Sequence, residues 1–167
     1  MKVHIRLAIP ILLLFLYSCG PSGKKIEVKS IQVELTSTGP LYEGSNTATF
    51  DWVVDFSKYI DKVPESINQV RFLAVRLTCN NDSLQSKIAN PVLQLAAGDL
   101  AMAKVAFAEE KLQTKLSSLK VADEQKNIDE FFKGKKITFV LDYDLMQEEL
   151  DQDLTFSLDF DLEMYVN

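Results

Sequence analysis

Apolar residues return at every second position along the last stretch of the chain. Leu154, Phe156, Leu158, Phe160, Leu162, Met164 and Val166 fall on one face, and Thr155, Ser157, Asp159, Asp161, Glu163 and Tyr165 on the other. Successive side chains of a strand point to opposite sides, so a period of two predicts a strand with one packed and one wet face. Ile137, Phe139, Leu141, Tyr143 and Leu145 repeat the pattern one segment earlier. The intervening residues 147–153 read as a loop that joins the two strands as antiparallel neighbours.

The first half reads similarly. Ile26 and Val28, then Ile31, Val33 and Leu35, predict a strand over 26–36. Its alternation slips by one at Lys29-Ser30, the mark of a bulge. Thr38-Gly39-Pro40 and Glu43-Gly44-Ser45-Asn46 carry turn chemistry. Ala48, Phe50, Trp52, Val54 and Phe56 share one face of a second strand over 47–56, and Ser57 is placed to cap a short helical turn over 58–63. Residues 67–79 are apolar on both faces, as in a central strand, and Asn80-Asn81-Asp82-Ser83 closes them in a polar turn.

The middle of the chain changes period. After the breakers Asn90-Pro91 and Gly98-Asp99, the residues Val105, Ala108, Leu112, Leu116 and Leu119 recur at steps of three and four. That predicts an amphipathic helix over 100–119 with Asp99 as its cap. Ala101, Ala103, Val105 and Phe107 also alternate, so 92–107 is open to strand or helix. A second short helix is predicted over 127–132, closed by Gly134. The fold expected is mainly β: a two-layer antiparallel β-sandwich of about six or seven strands with one amphipathic helix. The alternative is an α+β fold with the helix packed on one antiparallel sheet.

The start of the chain follows another rule. Lys2, His4 and Arg6 precede an apolar run over 7–17, which ends in Leu16-Tyr17-Ser18-Cys19-Gly20. A basic start, a short apolar stretch and a small residue before a cut describe a bacterial secretory signal. The run is about half the roughly 20 residues a membrane-spanning helix needs, and Pro10 interrupts it. A cysteine directly after the cut resembles the lipobox of bacterial lipoproteins. The resemblance implies a diacylglycerol on the Cys19 thiol and a third acyl chain on its amine. It also implies outer-membrane placement, since Gly20 stands where an Asp favours inner-membrane retention; either face of that membrane fits. The expected division is a signal peptide over 1–18, the lipidated cysteine and a linker over 19–25, and one β-rich domain over 26–167. Each buried methylene contributes about 0.8 kcal/mol, so several chains hold the protein on the bilayer, its first expected partner.

Charge and composition narrow the chemistry. The leader carries two of the eighteen Lys and Arg residues and none of the twenty-four acidic ones, leaving a net charge of −8. An acidic domain without a basic cluster is a poor candidate for nucleic acid, whose binding needs Lys and Arg to displace counterions, so no nucleic-acid partner is expected. The only histidine, His4, departs with the leader. Ser-His and Cys-His catalysis and His-built zinc sites are thereby excluded from the mature chain. Cys79, with Cys19 acylated, has no disulfide partner and reads as a buried, inert thiol.

Acidic pairs two residues apart are the one recurring constellation: Asp142 with Asp144, Asp151 with Asp153, and Asp159 with Asp161 and Glu163. Calcium takes six to eight oxygen ligands, so Asp142, Asp144, Asp151 and Asp153 are candidate ligands. The plainer reading is a solvated strand face whose like charges discourage aggregation. A carboxylate glycosidase would need two carboxyls about 5–9.5 Å apart in a cleft, whereas an alternating face leaves them in water. Phe50, Trp52, Tyr59 and Tyr42 are candidates for a sugar platform, the first two also for the core. Asp82-Ser83-Leu84 resembles a bacterial O-glycosylation acceptor at Ser83. The functional expectation is a non-enzymatic, cofactor-free envelope lipoprotein that contacts another envelope protein or a glycan. The alternative is a ligand-binding module for glycan, lipid or Ca2+.

Overall fold

The computed structural model describes residues 23–59, 67–113, 116–123, 125, 128–134 and 136–166. Eight strands follow in order: β1 (Lys24–Ser37), β2 (Leu41–Val53), β3 (Ile67–Cys79), β4 (Ile88–Ala96), β5 (Ala103–Phe107), β6 (Ser117–Val121), β7 (Lys136–Leu150) and β8 (Leu154–Val166). One helix, α1 (Ile128–Lys133), lies between β6 and β7. The strands close into an antiparallel barrel in the order β1-β2-β7-β4-β5-β6-β3-β8. The mainly β, antiparallel expectation holds. The two-layer sandwich does not, because both sides of the would-be sandwich are stitched together. β1 meets β2 at Thr36 and Thr49, and β5 meets β6 through Ala106–Val121 and Phe107–Lys120.

Long strands can wrap in this way because bulges bend them. Ser30, at φ 57°, sits at a register shift between Val28 and Ile31, where the alternation slipped. Gly44, at φ 101°, and Asn90, at φ 50°, mark two further shifts, in β2 and β4. Turn chemistry at 43–46 and the breaker Asn90-Pro91 therefore lie inside strands, as irregularities rather than ends. β2 is correspondingly displaced from its predicted span. Among the described residues of 100–119, the predicted helix does not form. Its alternating first half is β5, and Leu119 belongs to β6. Leu112 is buried, but from the connection between them.

β7 and β8 are not neighbours either. β7 pairs with β2 and β4, and β8 pairs with β1 and β3. β7 continues to Leu150, so the link shrinks to 151–153 and crosses the end of the β1–β2 hairpin. A Cβ on Gly39 would stand 2.8 Å from the Gln152 carbonyl, and the Gly39 amide donates to Asp153 Oδ1 at 2.9 Å. Only a residue without a side chain lets these two connections cross at that separation.

Eight strands enclose an interior just wide enough for side chains to fill. Here aromatic rings fill it. Trp52 packs on Phe56 (5.6 Å between centroids), Phe139 (6.0 Å), Phe160 and Phe132 (both 6.2 Å). Phe72 contacts Phe160 and Phe132 in turn. α1 closes this end of the barrel. Ile128, Phe131 and Phe132 are buried, at the spacing that shares one helix face. Six residues do not hold a helix unaided. Burial of that face does so, helped by Lys133 reaching back to Asp129 (3.1 Å) and Glu130 (2.6 Å). The short-helix expectation over 127–132 is met within a residue. Lys24 and Lys25, expected as linker, are the first residues of β1. The leader, Cys19 and most of the 58–63 turn lie outside the described residues.

The outer wall is polar. Thr155, Ser157, Asp159 and Asp161 on β8, and Glu27, Gln32 and Glu34 on β1, point away from the buried alternates. This is the reverse of the apolar-out alternation a lipid-facing barrel wall requires. Gly39→Ala is expected to lower the unfolding free energy by about 1–3 kcal/mol, read from the urea midpoint, because the new methyl meets backbone. An unchanged midpoint would show that the crossing yields freely.

Candidate functional site

Two of the three acidic groups are recruited to the wall, each in a different way. Arg76 on β3 sits opposite Asp159 and Asp161 on β8, bonding to Asp159 through Nη1 and to Asp161 through Nη2 at 2.7 Å. Gln32 Nε2 donates to the other Asp159 oxygen at 3.3 Å, and the Ser30 amide to Asp161 at 2.9 Å. The bulge that turns Ser30 thus also caps the Asp161 carboxylate. Arg76 holds the Asp161 carboxyl below the ordinary aspartate range, against the opposing effect of burial. Glu163, the third acid of the run, is met by Lys25 at 2.5 Å.

Asp142 accepts from Thr47 Oγ1 and Gln94 Nε2, both at 2.7 Å, and Asp144 from Asn90 Nδ2 at 2.8 Å. These are cross-strand bonds on the outside of β7. Asp151 and Asp153 lie beyond its end, where Asp153 caps the Gly39 amide. The four calcium candidates are therefore divided between wall and crossover. Among the described residues, no three His, Cys, Asp or Glu side chains converge as metal ligands.

Cys79 is buried and unpaired, and burial pushes its thiol above the usual range. A neutral thiol of this kind is a poor nucleophile. Ser83 is exposed in an Asx turn, with its amide (3.1 Å) and hydroxyl (2.7 Å) both donating to Asn81 Oδ1. Trp52 is only 8 % exposed, so it belongs to the core and offers little open ring to a sugar. Phe50 and Tyr59 are partly buried against that core, while Tyr42 is 57 % exposed on β2.

Sequence reasoning missed two features. One is the Tyr143 phenol inside the barrel, pushed up by burial against the opposing effect of the neighbouring Ser37 hydroxyl. The other is a groove of about 640 Å³ between the β4–β5 turn, β5 and α1. Leu100, Met102, Phe107 and Phe131 line it, with Lys104 and Glu130 at its edges. Leu100 and Met102 are 41 % and 51 % exposed, and Lys104 Nζ stands 4.6 Å from the Phe107 ring. A 100–119 helix would have dispersed these residues, which is why the sequence pattern hid the groove.

Asp161 supplies a pH test. Its lowered pKa stabilises the fold above the ordinary aspartate range of about 4, and that stability is lost as pH falls through the folded value. Arg76→Met is expected to lower the unfolding free energy at pH 7 by about 1–2 kcal/mol. The deficit should shrink by pH 3, as urea melts at both pH values would show. An equal deficit at both would mean that Arg76 acts through packing alone.

Compared with protein-family models, with curated proteins and with solved structures, the chain matches none.

Proposed function

We propose that this chain is a lipid-anchored, non-enzymatic interaction domain of the bacterial cell envelope. Cys19, acylated after removal of 1–18, fastens the barrel to the outer membrane, and the barrel contacts a second envelope component. The observation that carries the reading is the packed interior. A small eight-stranded barrel either encloses a ligand or fills itself with side chains. Trp52, Phe72, Phe139 and Phe160 occupy this one, which leaves its outside for contact. The absence of histidine from the chain after residue 4 supports the non-enzymatic part. Acyl anchoring supplies a high effective concentration for any partner in the same membrane, so a modest contact surface suffices.

Cells fed labelled palmitate should incorporate it into the wild-type chain and not into Cys19→Ala, and only the wild type should sediment with membranes. Chemical crosslinking in the same cells should give a discrete envelope adduct with the wild type that Cys19→Ala loses. Equal labelling or equal sedimentation of the two would remove the anchor. Absence of any adduct from an acylated chain would remove the interaction role.

A further inference from the structure

We infer that the α1 end of the barrel, with the groove beside Leu100 and Met102, rests against the phospholipid surface, leaving the opposite end free for the partner. The inference builds on the proposed acylation of Cys19. Its basis is where the strands begin and end. β1 starts at Lys24, paired with Val166 of β8, and Val166 also pairs with Ile67 of β3. Lys136 of β7 pairs with Val53, and Thr138 with Ala96. These strand ends, the β4–β5 turn that holds Leu100 and Met102, and α1 all belong to one end of the barrel. The Gly39–Pro40 connection, the turn over 80–83 and the crossover over 151–153 belong to the other.

Chain length restricts how this body can hang from an acyl anchor. Lys24 lies five residue steps from Cys19, and a fully extended chain spans at most about 3.6 Å per residue. The start of β1 is therefore held within about 18 Å of the acylated residue. That is less than the length of β1 itself, whose 14 residues rise about 3.3 Å each. The barrel cannot turn its far end to the membrane on so short a lead.

The two ends suit these positions. At the tethered end Leu100 and Met102 are exposed beside an apolar groove. Lys24, Lys104, Lys120 and Lys133 accompany them, so the acids Asp99, Asp123, Asp129 and Glu130 do not act alone. The far end carries Glu43, Glu109, Glu110, Glu148, Glu149 and Asp151 against Lys87 and Lys111. Anionic head groups repel that end and accept the other. Exposed apolar side chains at an interface of lipid and water lower their free energy by leaving water.

The test places one environment-sensitive fluorophore on the acylated chain, processed to begin at Cys19, in vesicles of phosphatidylethanolamine and phosphatidylglycerol. The attachment sites are Met102→Cys at the groove and Glu149→Cys at the far end, both exposed; Cys79 stays buried. Spin-labelled lipid in the vesicles should quench the fluorophore at 102 several-fold more than at 149. Emission at 102 alone should shift to the blue when vesicles are added. Equal exposure of the two sites in protein whose mass shows the acyl chains would overturn the orientation and leave the anchor standing. Stronger quenching at 149 would overturn it as well. A mass without acyl chains would instead overturn the anchoring on which the orientation rests.

Discussion

The contact of Trp52 with the phenylalanines around it is the interaction on which this structure depends. Trp52 comes from β2, Phe139 from β7, Phe160 from β8, Phe72 from β3 and Phe132 from α1. Strands far apart in sequence, from both sides of the thin β1–β2 junction, therefore share one ring cluster. Edge-to-face pairs of this kind contribute about 0.5–1.5 kcal/mol each beyond the area they bury. They also give the barrel its closure. β1 and β2 are joined along little of their length, so side chains inside the wall supply what the hydrogen-bond ladder lacks there.

Backbone devices outside the cluster let the strands reach it. Ser30, Gly44 and Asn90 bend three strands, and the Asp161 carboxylate steadies the first of these bends by accepting from the Ser30 amide. Where β6 stops short of covering β3, Gln125 takes over as a strand would. Its Oε1 accepts from the Phe72 amide at 2.7 Å, and its Nε2 donates to the Phe72 carbonyl at 3.0 Å. Closure of this sort removes the free edges through which antiparallel sheets aggregate. The acidic faces then serve mainly as wall, tied to Arg76, Lys25, Thr47, Gln94 and Asn90.

Much of this was legible in the chain. The alternation of β7 and β8, the slip at Lys29-Ser30, the central β3 and the buried face of α1 all follow from local periodicity. Closure was not legible, because a sandwich layer and a barrel wall present the same pattern of one wet and one packed face. Strand order was hidden for a related reason: β8 carries no local mark that it pairs with β1 and β3 rather than with β7. The false helix over 100–119 arose because Val105, Leu112 and Leu119 are buried from two strands and a connection, yet happen to fall near helical steps. Arg76 had a readable signal. It stands in a central strand, where a lone guanidinium needs a carboxylate partner, and β8 offered two at the right spacing.

The proposed function turns on anchoring and contact, with the side-chain-filled barrel as the body that is anchored. The cluster around Trp52 is open to one direct measurement, because this is the only tryptophan in the chain. Phe132→Ala removes the α1 ring from the cluster. The unfolding free energy, followed by Trp52 emission in urea, should fall by about 3–5 kcal/mol, and native emission should shift to the red as water reaches the indole. A loss below about 1 kcal/mol with unchanged emission would contradict the account, since the barrel would then hold itself closed without the helix.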